Sequence, residues 1–358
     1  MKIILSGGGT LGPVIPLLAI AEIYSRENSE TAWLWIGTRK GPEKEIVLQN
    51  KIPFKKIVSG KWRRYFSFWN FIDLIKLVIA FFQSLYLLII ERPMLVISAG
   101  GFISVPLHWA AFCLGIPSWI HQQDVLPGMA NTLMSKTATK ITTALEKSVE
   151  YFPSKKTEWI GNPVRDLSVR DVYASRQIFG LPLYGPVIFA LGGGTGSSKI
   201  NELVVEALQS LPPDWHIIHL VGRERPSEKA LGAVRLFKNY HPYKFFTEEM
   251  KDAYAIADIV VARAGFATIT ELASLAKPAI ILPMSGTHQE ENARMLSKQE
   301  AVVVLNENTD NGLKLAKILK DLMDSSNLRR QLGTRLRDVL PPANQEKVIE
   351  IIDILTSN

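Results

Sequence analysis

The chain has 358 residues, more than one hydrophobic core ordinarily serves, so two domains are expected. Apolar residues make up 47% and charged residues 21%, values that exclude a disordered or fibrous chain. The formal net charge of +7 is dispersed along the sequence rather than gathered into a basic stripe, which argues against nucleic-acid binding and fits an anionic membrane surface or an anionic substrate.

The opening MKIILSGGGT is too short in its apolar run and too glycine-rich for a signal peptide, and reads as a first buried strand. The single cysteine, Cys113, cannot form an intramolecular disulfide and fits a reducing compartment. Short β-branched runs then alternate with longer helical stretches. Strands are expected at Lys2–Ser6, Thr31–Ile36, Met94–Ser98, Ser118–His121, Val187–Leu191, Trp215–Val221, Ile259–Ala262 and Ala279–Pro283, with helices such as Val14–Ser25 and Lys199–Leu208 between them. This alternation predicts an α/β chain of parallel sheets with crossover helices.

The opening of the first unit repeats. Gly7-Gly8-Gly9-Thr10-Leu11-Gly12 follows the first strand, and Gly192-Gly193-Gly194-Thr195-Gly196 follows the strand at Val187. Each is a strand, a glycine turn and a helix start, the beginning of a Rossmann-like unit. Two similar domains are expected, 1–163 and 164–342, with the break in Gly161-Asn162-Pro163-Val164-Arg165. A second break at Leu340-Pro341-Pro342 precedes a last helix, which places 343–358 back with the first domain.

The first loop matches G-x-G-x-x-G, a weak signal alone. A dinucleotide site also needs an acid at the end of the second strand, and that strand runs into Trp35-Ile36-Gly37-Thr38-Arg39, so an NAD reading loses most of its force and an NADP reading survives only through Arg39. Neither loop has P-loop spacing. Glycine turns at helix starts do offer backbone N–H groups to an anion such as a diphosphate.

The segment Ala262-Arg263-Ala264-Gly265-Phe266-Ala267-Thr268-Ile269-Thr270-Glu271 follows a strand. Gly265 is expected to turn the chain into a helix whose N–H groups at Ala267 and Thr268 face a diphosphate. Glu271, about a turn further in, can accept from both hydroxyls of a ribose, or can simply complement the helix dipole. Gln289 and Asn292 stand three residues apart, so their amides share a helix face and suit sugar hydroxyls.

Taken together, the first loop with Val14-Ile15-Pro16, Ser98 to Ser104, His121-Gln122-Gln123-Asp124, Gly161 to Arg165, the second loop through Asn201, Arg263 to Glu271 and Gln289 to Ala293 resemble the MurG family in order and spacing along nearly the whole chain. The resemblance implies a GT-B fold, two Rossmann-like doubly wound domains facing across a cleft. It implies inverting transfer of N-acetylglucosamine from UDP-N-acetylglucosamine to undecaprenyl-pyrophosphoryl-MurNAc-pentapeptide (lipid I), giving lipid II for peptidoglycan synthesis. It also implies donor contacts from Arg165, Gly194, Thr247 beside Phe246, Ala267, Thr268, Glu271, Gln289 and Asn292. Thr10, Leu11 and Gly12 would approach the diphosphate of the polyprenyl acceptor. No cofactor and no bound metal are expected, and no D-x-D stands in the chain.

The sequence departs from the family where the acceptor and reaction centre are expected. Pro13 replaces the usual histidine of the first loop, Phe102 a tyrosine, Gln122 and Asp124 a glutamate and an asparagine, and Gly194-Thr195 a Ser-Gln pair. An inverting transfer needs a general base. Asp124 and His121 are the candidates, with Asp124 alternatively capping the Leu126–Ser135 segment. A UDP-sugar transferase with another acceptor, or a non-catalytic sugar-nucleotide-binding homologue, remain open.

Lys61 to Trp69 interleaves cations with rings, and Phe71 to Ile90 is strongly apolar but interrupted by Asp73, Lys76 and Gln83. A transmembrane helix is rejected. Trp62, Arg63, Arg64, Phe66 and Trp69 are expected to anchor the chain peripherally on the cytoplasmic face of an anionic membrane.

Overall fold

The computed structural model describes residues 1–39, 41–58, 69–194, 196–223, 228–235, 237–246 and 248–357, with 69–74 in backbone only. The chain divides into two compact units, 1–165 with 342–358, and 166–341.

The first unit runs β1 (Lys2–Ser6), α1 (Val14–Glu27), β2 (Ala32–Gly37), α2 (Glu43–Gln49), β3 (Phe54–Lys56), α3 (Trp69–Glu91) and β4 (Leu95–Ser98). It continues with α4 (Ser104–Cys113), β5 (Ser118–Gln122), α5 (Met129–Met134), β6 (Lys140–Thr143) and β7 (Thr157–Trp159). Its parallel sheet has the order β3-β2-β1-β4-β5-β6-β7. Alternate residues of each strand serve opposite faces. Ile3 and Leu5 pack with α1, and Ile4 packs with the helices on the other side.

The second unit begins with α6 (Val172–Ile178), β8 (Val187–Leu191), α7 (Ser198–Leu208), β9 (His216–Leu220), α8 (Glu228–Gly232), β10 (Tyr240–Tyr243) and α9 (Met250–Ile256). Then come β11 (Ile259–Ala262), α10 (Phe266–Ser274), β12 (Ala279–Ile281), α11 (Gln289–Lys298), β13 (Val303–Val304), α12 (Gly312–Asp324) and α13 (Ser326–Val339). Its sheet runs β10-β9-β8-β11-β12-β13, again parallel. Each sheet reverses strand order beside its first strand, between β1 and β4 and between β8 and β11. A crevice at the carboxyl ends of the strands forms at such a switch point, where ligands of open α/β sheets bind.

The last helix, α14 (Gln345–Thr356), returns to the first unit. Val348, Ile351, Ile352 and Leu355 join the core shared by α1 and β1. Tyr24 donates to Asp353 at 2.7 Å, Lys347 pairs with Glu158, and Ala343 N–H bonds the Asn162 carbonyl at 2.9 Å.

Two differences from the sequence reading have local causes. The helix after Asp124 covers only Met129–Met134 and is capped by Gly128 in extended conformation, so Asp124 is not its cap. The turn into α10 does not require glycine, because Gly265 has φ −69 and ψ 131. A Cβ at that position would meet no atom of the described residues within 4 Å beyond its chain neighbours.

Candidate active site

In the first unit, three loops meet at the carboxyl ends of β1, β4 and β5. Gly100 and Gly101 both have left-handed φ, +106 and +88, and a Cβ on Gly101 would stand 3.2 Å from the Gly8 carbonyl. The Gln123 amide donates to the Gly12 carbonyl at 3.2 Å, so the first glycine loop and the 121–124 segment are joined. Ser104 ties the β4 loop to β1 through the Ser6 carbonyl at 3.0 Å.

The 121–124 segment is ordered by two networks. The Trp119 indole donates to Thr142 Oγ1, Thr142 contacts His121 Nδ1, and His121 Nε2 contacts Asn162 Oδ1, each at 2.8 Å. An amide oxygen only accepts, so Nε2 carries the proton and Nδ1 receives the threonine hydroxyl. His121 is fully buried, and burial pushes its imidazole down to about 4. Its two ring nitrogens are committed to holding β5, β6 and the Asn162 loop together. The second network runs from Asn131, which donates to Gln122 Oε1 at 2.7 Å, to Gln122, which donates to the carbonyls of Asp124 at 2.8 Å and Leu126 at 3.2 Å. Gln122 thus shapes the loop that carries the half-buried Asp124 carboxylate.

The first glycine loop differs from a dinucleotide loop in its donors. Pro13 and Pro16 have no N–H, and the N–H groups of Val14 and Ile15 both bond the Leu11 carbonyl, at 3.0 and 3.3 Å. The start of α1 therefore offers an anion no donor. Gly9 N–H is also engaged, by Glu43 Oε2 at 3.2 Å. Thr10, Leu11 and Gly12 carry N–H groups with no hydrogen bond among the described residues.

In the second unit the equivalent loop is pinned by its neighbours. Gly196 has φ +87, and a Cβ on it would stand 2.7 Å from the Val221 carbonyl. Ser197 caps α7 through Ile200 N–H at 3.3 Å and receives Arg263 Nε at 2.9 Å. The buried Arg263 also reaches the Leu282 and Pro283 carbonyls at 3.2 Å and pairs with Glu307 at 2.9 Å. Glu307, held below the usual carboxylate range by that guanidinium, accepts Ser285 N–H at 2.9 Å. One arginine thus fixes the approach to α7 and the loop after β12.

Helix α10 retains its donors. Among the described residues no side chain caps it, and the first hydrogen bond of its N-terminal turn runs from Ile269 N–H to the Gly265 carbonyl at 3.1 Å. Ala267 and Thr268 keep N–H groups available to an anion. Glu271 is 5% exposed, and Tyr254 Oη donates to its Oε2 at 3.1 Å. Asn292 is fully buried and donates to the Ala264 carbonyl at 3.1 Å. Gln289 is half-buried, its oxygen accepting Met284 N–H at 3.1 Å. The two amides expected on one open sugar-binding face are therefore split, Asn292 bracing the turn into α10. Gly194 lies in the second loop, Arg165 closes the first unit, and Phe246 is buried among Phe179, Phe189 and Tyr243. Thr247 lies outside the described residues, as do Trp62, Arg63, Arg64 and Phe66, while Trp69 enters as the first backbone residue of α3.

Sequence reasoning missed Glu43, Gln123 as a tie to Gly12, Tyr254 and the Arg263–Glu307 pair. Only tertiary pairing brings these residues to the loops, so no local spacing marks them.

Two doubly wound parallel-sheet units, each with a glycine loop at its switch point, make this a GT-B protein. The chain belongs to glycosyltransferase family 28: the family's N-terminal domain profile matches residues 3–143 and its C-terminal domain profile residues 187–336. A "UDP-N-acetylglucosamine--N-acetylmuramyl-(pentapeptide) pyrophosphoryl-undecaprenol N-acetylglucosamine transferase" of Clostridium perfringens is 34% identical over 90% of both chains. The protein of the same name from Treponema denticola is 33% identical over 99% of this chain and 97% of its own. The crystal structure of Acinetobacter baumannii MurG superposes with a TM-score of 0.73 over 99% of both chains at 24% identity, a likeness of fold.

Proposed function

We propose that the chain transfers N-acetylglucosamine from UDP-N-acetylglucosamine to N-acetylmuramyl-(pentapeptide) pyrophosphoryl-undecaprenol, forming lipid II. Near full-length likeness to transferases of that name carries the reading. The intact donor elements of the second unit support it. Ala267 and Thr268 N–H groups take the diphosphate, Glu271, oriented by Tyr254, takes the ribose hydroxyls, and Gln289 faces the sugar. Asn292 contributes by fixing the Ala264–Gly265 turn. Arg165 and Gly194 approach the donor, and Thr247 borders the uracil.

On the acceptor side, Thr10, Leu11 and Gly12 provide N–H groups for the diphosphate. Asp124 removes the proton from the attacking hydroxyl as its oxygen bonds the anomeric carbon and the bond to the UDP oxygen breaks. Charge arriving on UDP is met by the dipole and N–H groups of α10. His121 serves as a positioning residue for this segment, because its imidazole has no nitrogen left for substrate.

Binding to an anionic membrane is the second half of the proposal. Ile75, Val78, Ile79, Phe82, Tyr86, Ile89 and Ile90 are all exposed on α3. Their spacing of three, four and seven gathers them on one stripe, while Ala80, Ser84 and Leu88 are buried on the other. No helix among the described residues is long and apolar enough to cross a membrane. The stripe, joined to the Lys61 to Trp69 segment, fits a helix lying in the interface, where the lipid-linked acceptor resides.

The test is transfer of radiolabel from UDP-N-acetylglucosamine to a lipid I analogue, with the product identified by its disaccharide. Binding of the donor without transfer to this acceptor would overturn the acceptor assignment.

A further inference from the structure

The donors that remain in the first glycine loop all belong to the loop itself, since α1 contributes none. The shape of that loop therefore decides whether Thr10, Leu11 and Gly12 can converge on an anion. A hydrogen-bond donor displaced by an ångström is largely lost, and a loop without a helix end behind it has to be held from elsewhere.

It is held from α2. Glu43 is fully buried, although its side chain belongs to a charged type that is seldom buried without partners. Its Oε2 accepts Gly9 N–H at 3.2 Å, and its Oε1 accepts both the N–H and the hydroxyl of Thr38, at 2.7 and 2.5 Å. The carboxylate thus joins the loop after β1 to the loop after β2. It also fills the space beside the glycines. A Cβ on Gly8 would stand 2.3 Å from Glu43 Oε1, and one on Gly41 would stand 1.8 Å from its Oε2. Trp35, also fully buried, holds the Gly7 carbonyl at 3.0 Å from the same side. A buried carboxylate recovers its desolvation cost only through such bonds, so the contact with Gly9 is a fixed one rather than a surface encounter.

We infer that Glu43 is the positioning residue of the acceptor loop: its carboxylate latches Gly9, and so sets the conformation in which Thr10, Leu11 and Gly12 present their N–H groups to the acceptor diphosphate. The inference rests on the reading of this loop as the acceptor site. Glu43 touches no substrate. The latch also means that the Gly9 N–H, which a dinucleotide-type loop would give to phosphate, is spent on the protein's own carboxylate.

The test compares the full-length protein with Glu43→Gln and Thr38→Ala. Glutamine keeps the shape but has a single acceptor oxygen, so its NH2 must face either Gly9 N–H or Thr38 N–H, and the carboxylate's bridge between the two loops is broken. The acceptor KM, measured with a soluble lipid I analogue, should rise about tenfold in Glu43→Gln, the loss expected for one charge-assisted hydrogen bond. It should rise about threefold in Thr38→Ala, which removes a single donor to the same carboxylate. The donor KM should stay within about twofold of wild type in both, since the elements proposed to take the donor's diphosphate, ribose and sugar lie in the other unit. Hydrogen exchange over residues 8–12 should speed up in Glu43→Gln. That readout does not depend on activity, so it still tests the latch if the wild-type protein fails to transfer to this acceptor. Should Glu43→Gln not fold, Thr38→Ala carries the comparison alone. Equal rises in both KM values, an unchanged acceptor KM, or unchanged exchange over the loop would each overturn the inference.

Discussion

At the scale of single residues, the acceptor segment separates two roles that its sequence leaves joined. His121 and Asp124 stand three residues apart, and both are of types that move protons. Burial decides between them. His121 is enclosed, deprotonated at neutral pH and bonded at both nitrogens, whereas Asp124 is half-buried on a loop whose carbonyls are gripped by Gln122. The Asp124→Asn protein should lose kcat by about 10²- to 10⁴-fold, the usual contribution of a general base. Its donor KM should be unchanged. Initial rates across donor concentrations check this, and turnover near that of wild type would exclude Asp124 as the base. The proposed donor end repeats that division. Glu271 was legible as a candidate from its place after a strand and a glycine, either for a ribose or for the helix dipole. Tyr254, which orients it, was not, because α9 reaches α10 only through the fold.

At the scale of elements, helix α3 shows how far pattern reading reaches. Its apolar character was evident, and the interruptions at Asp73, Lys76 and Gln83 argued against a span. Hydropathy alone could not say how much of it was buried, because a helix with apolar residues all round satisfies the sheet and the solvent side with the same letters. The structure buries Ala80, Ser84 and Leu88 and leaves Phe82 and Tyr86 63% and 67% exposed. Co-sedimentation with anionic vesicles should therefore fall several-fold in a Phe82→Asp, Ile79→Asp double variant, since two apolar anchors are lost and two like charges are added at the lipid. Both residues are exposed in the protein, so its thermal midpoint should hardly move. Equal binding by variant and wild type would remove α3 from the membrane contact. Helix α10 makes the opposite case: its start was read correctly from Gly265, but for a conformational reason that the extended φ does not support.

At the scale of the whole molecule, buried histidines make acid a common threat to both units. His108 and His121 in the first unit and His219 in the second are fully enclosed, and burial pushes them down to about 3, about 4 and about 3. An unfolded histidine titrates near ~6.5. The unfolded chain therefore binds more protons than the native one below that value, and stability falls as pH drops from ~6.5 toward 4. Above ~6.5 these groups are neutral in both states and the loss vanishes. Neither ring nitrogen of His108 has a partner among the described residues, so its removal sacrifices no hydrogen bond there. A His108→Leu protein should lose less stability between pH 6.5 and 4.5, with a slope shallower by about 1.4 kcal/mol per pH unit. Urea unfolding at a series of pH values measures it, and an identical slope would clear His108 of any part in acid unfolding.

The sequence by itself determined the parallel α/β architecture, because strands buried on both faces must be apolar throughout and the helices between them must be amphipathic. It also marked the two glycine loops and the Arg263 to Glu271 segment as candidates, because a strand, a glycine turn and a helix start are set by neighbours in the chain. Only the tertiary structure decided which of those loops keep their N–H groups. Glu43 reaches Gly9 from α2, Gln123 reaches Gly12 from the loop after β5, Asn292 reaches Ala264 from α11, and Arg263 gathers three loops at once. Each of these is a hydrogen bond between segments far apart in sequence. Local spacing carries no trace of such pairings, since their geometry exists only once each sheet has brought the carboxyl ends of its own strands together.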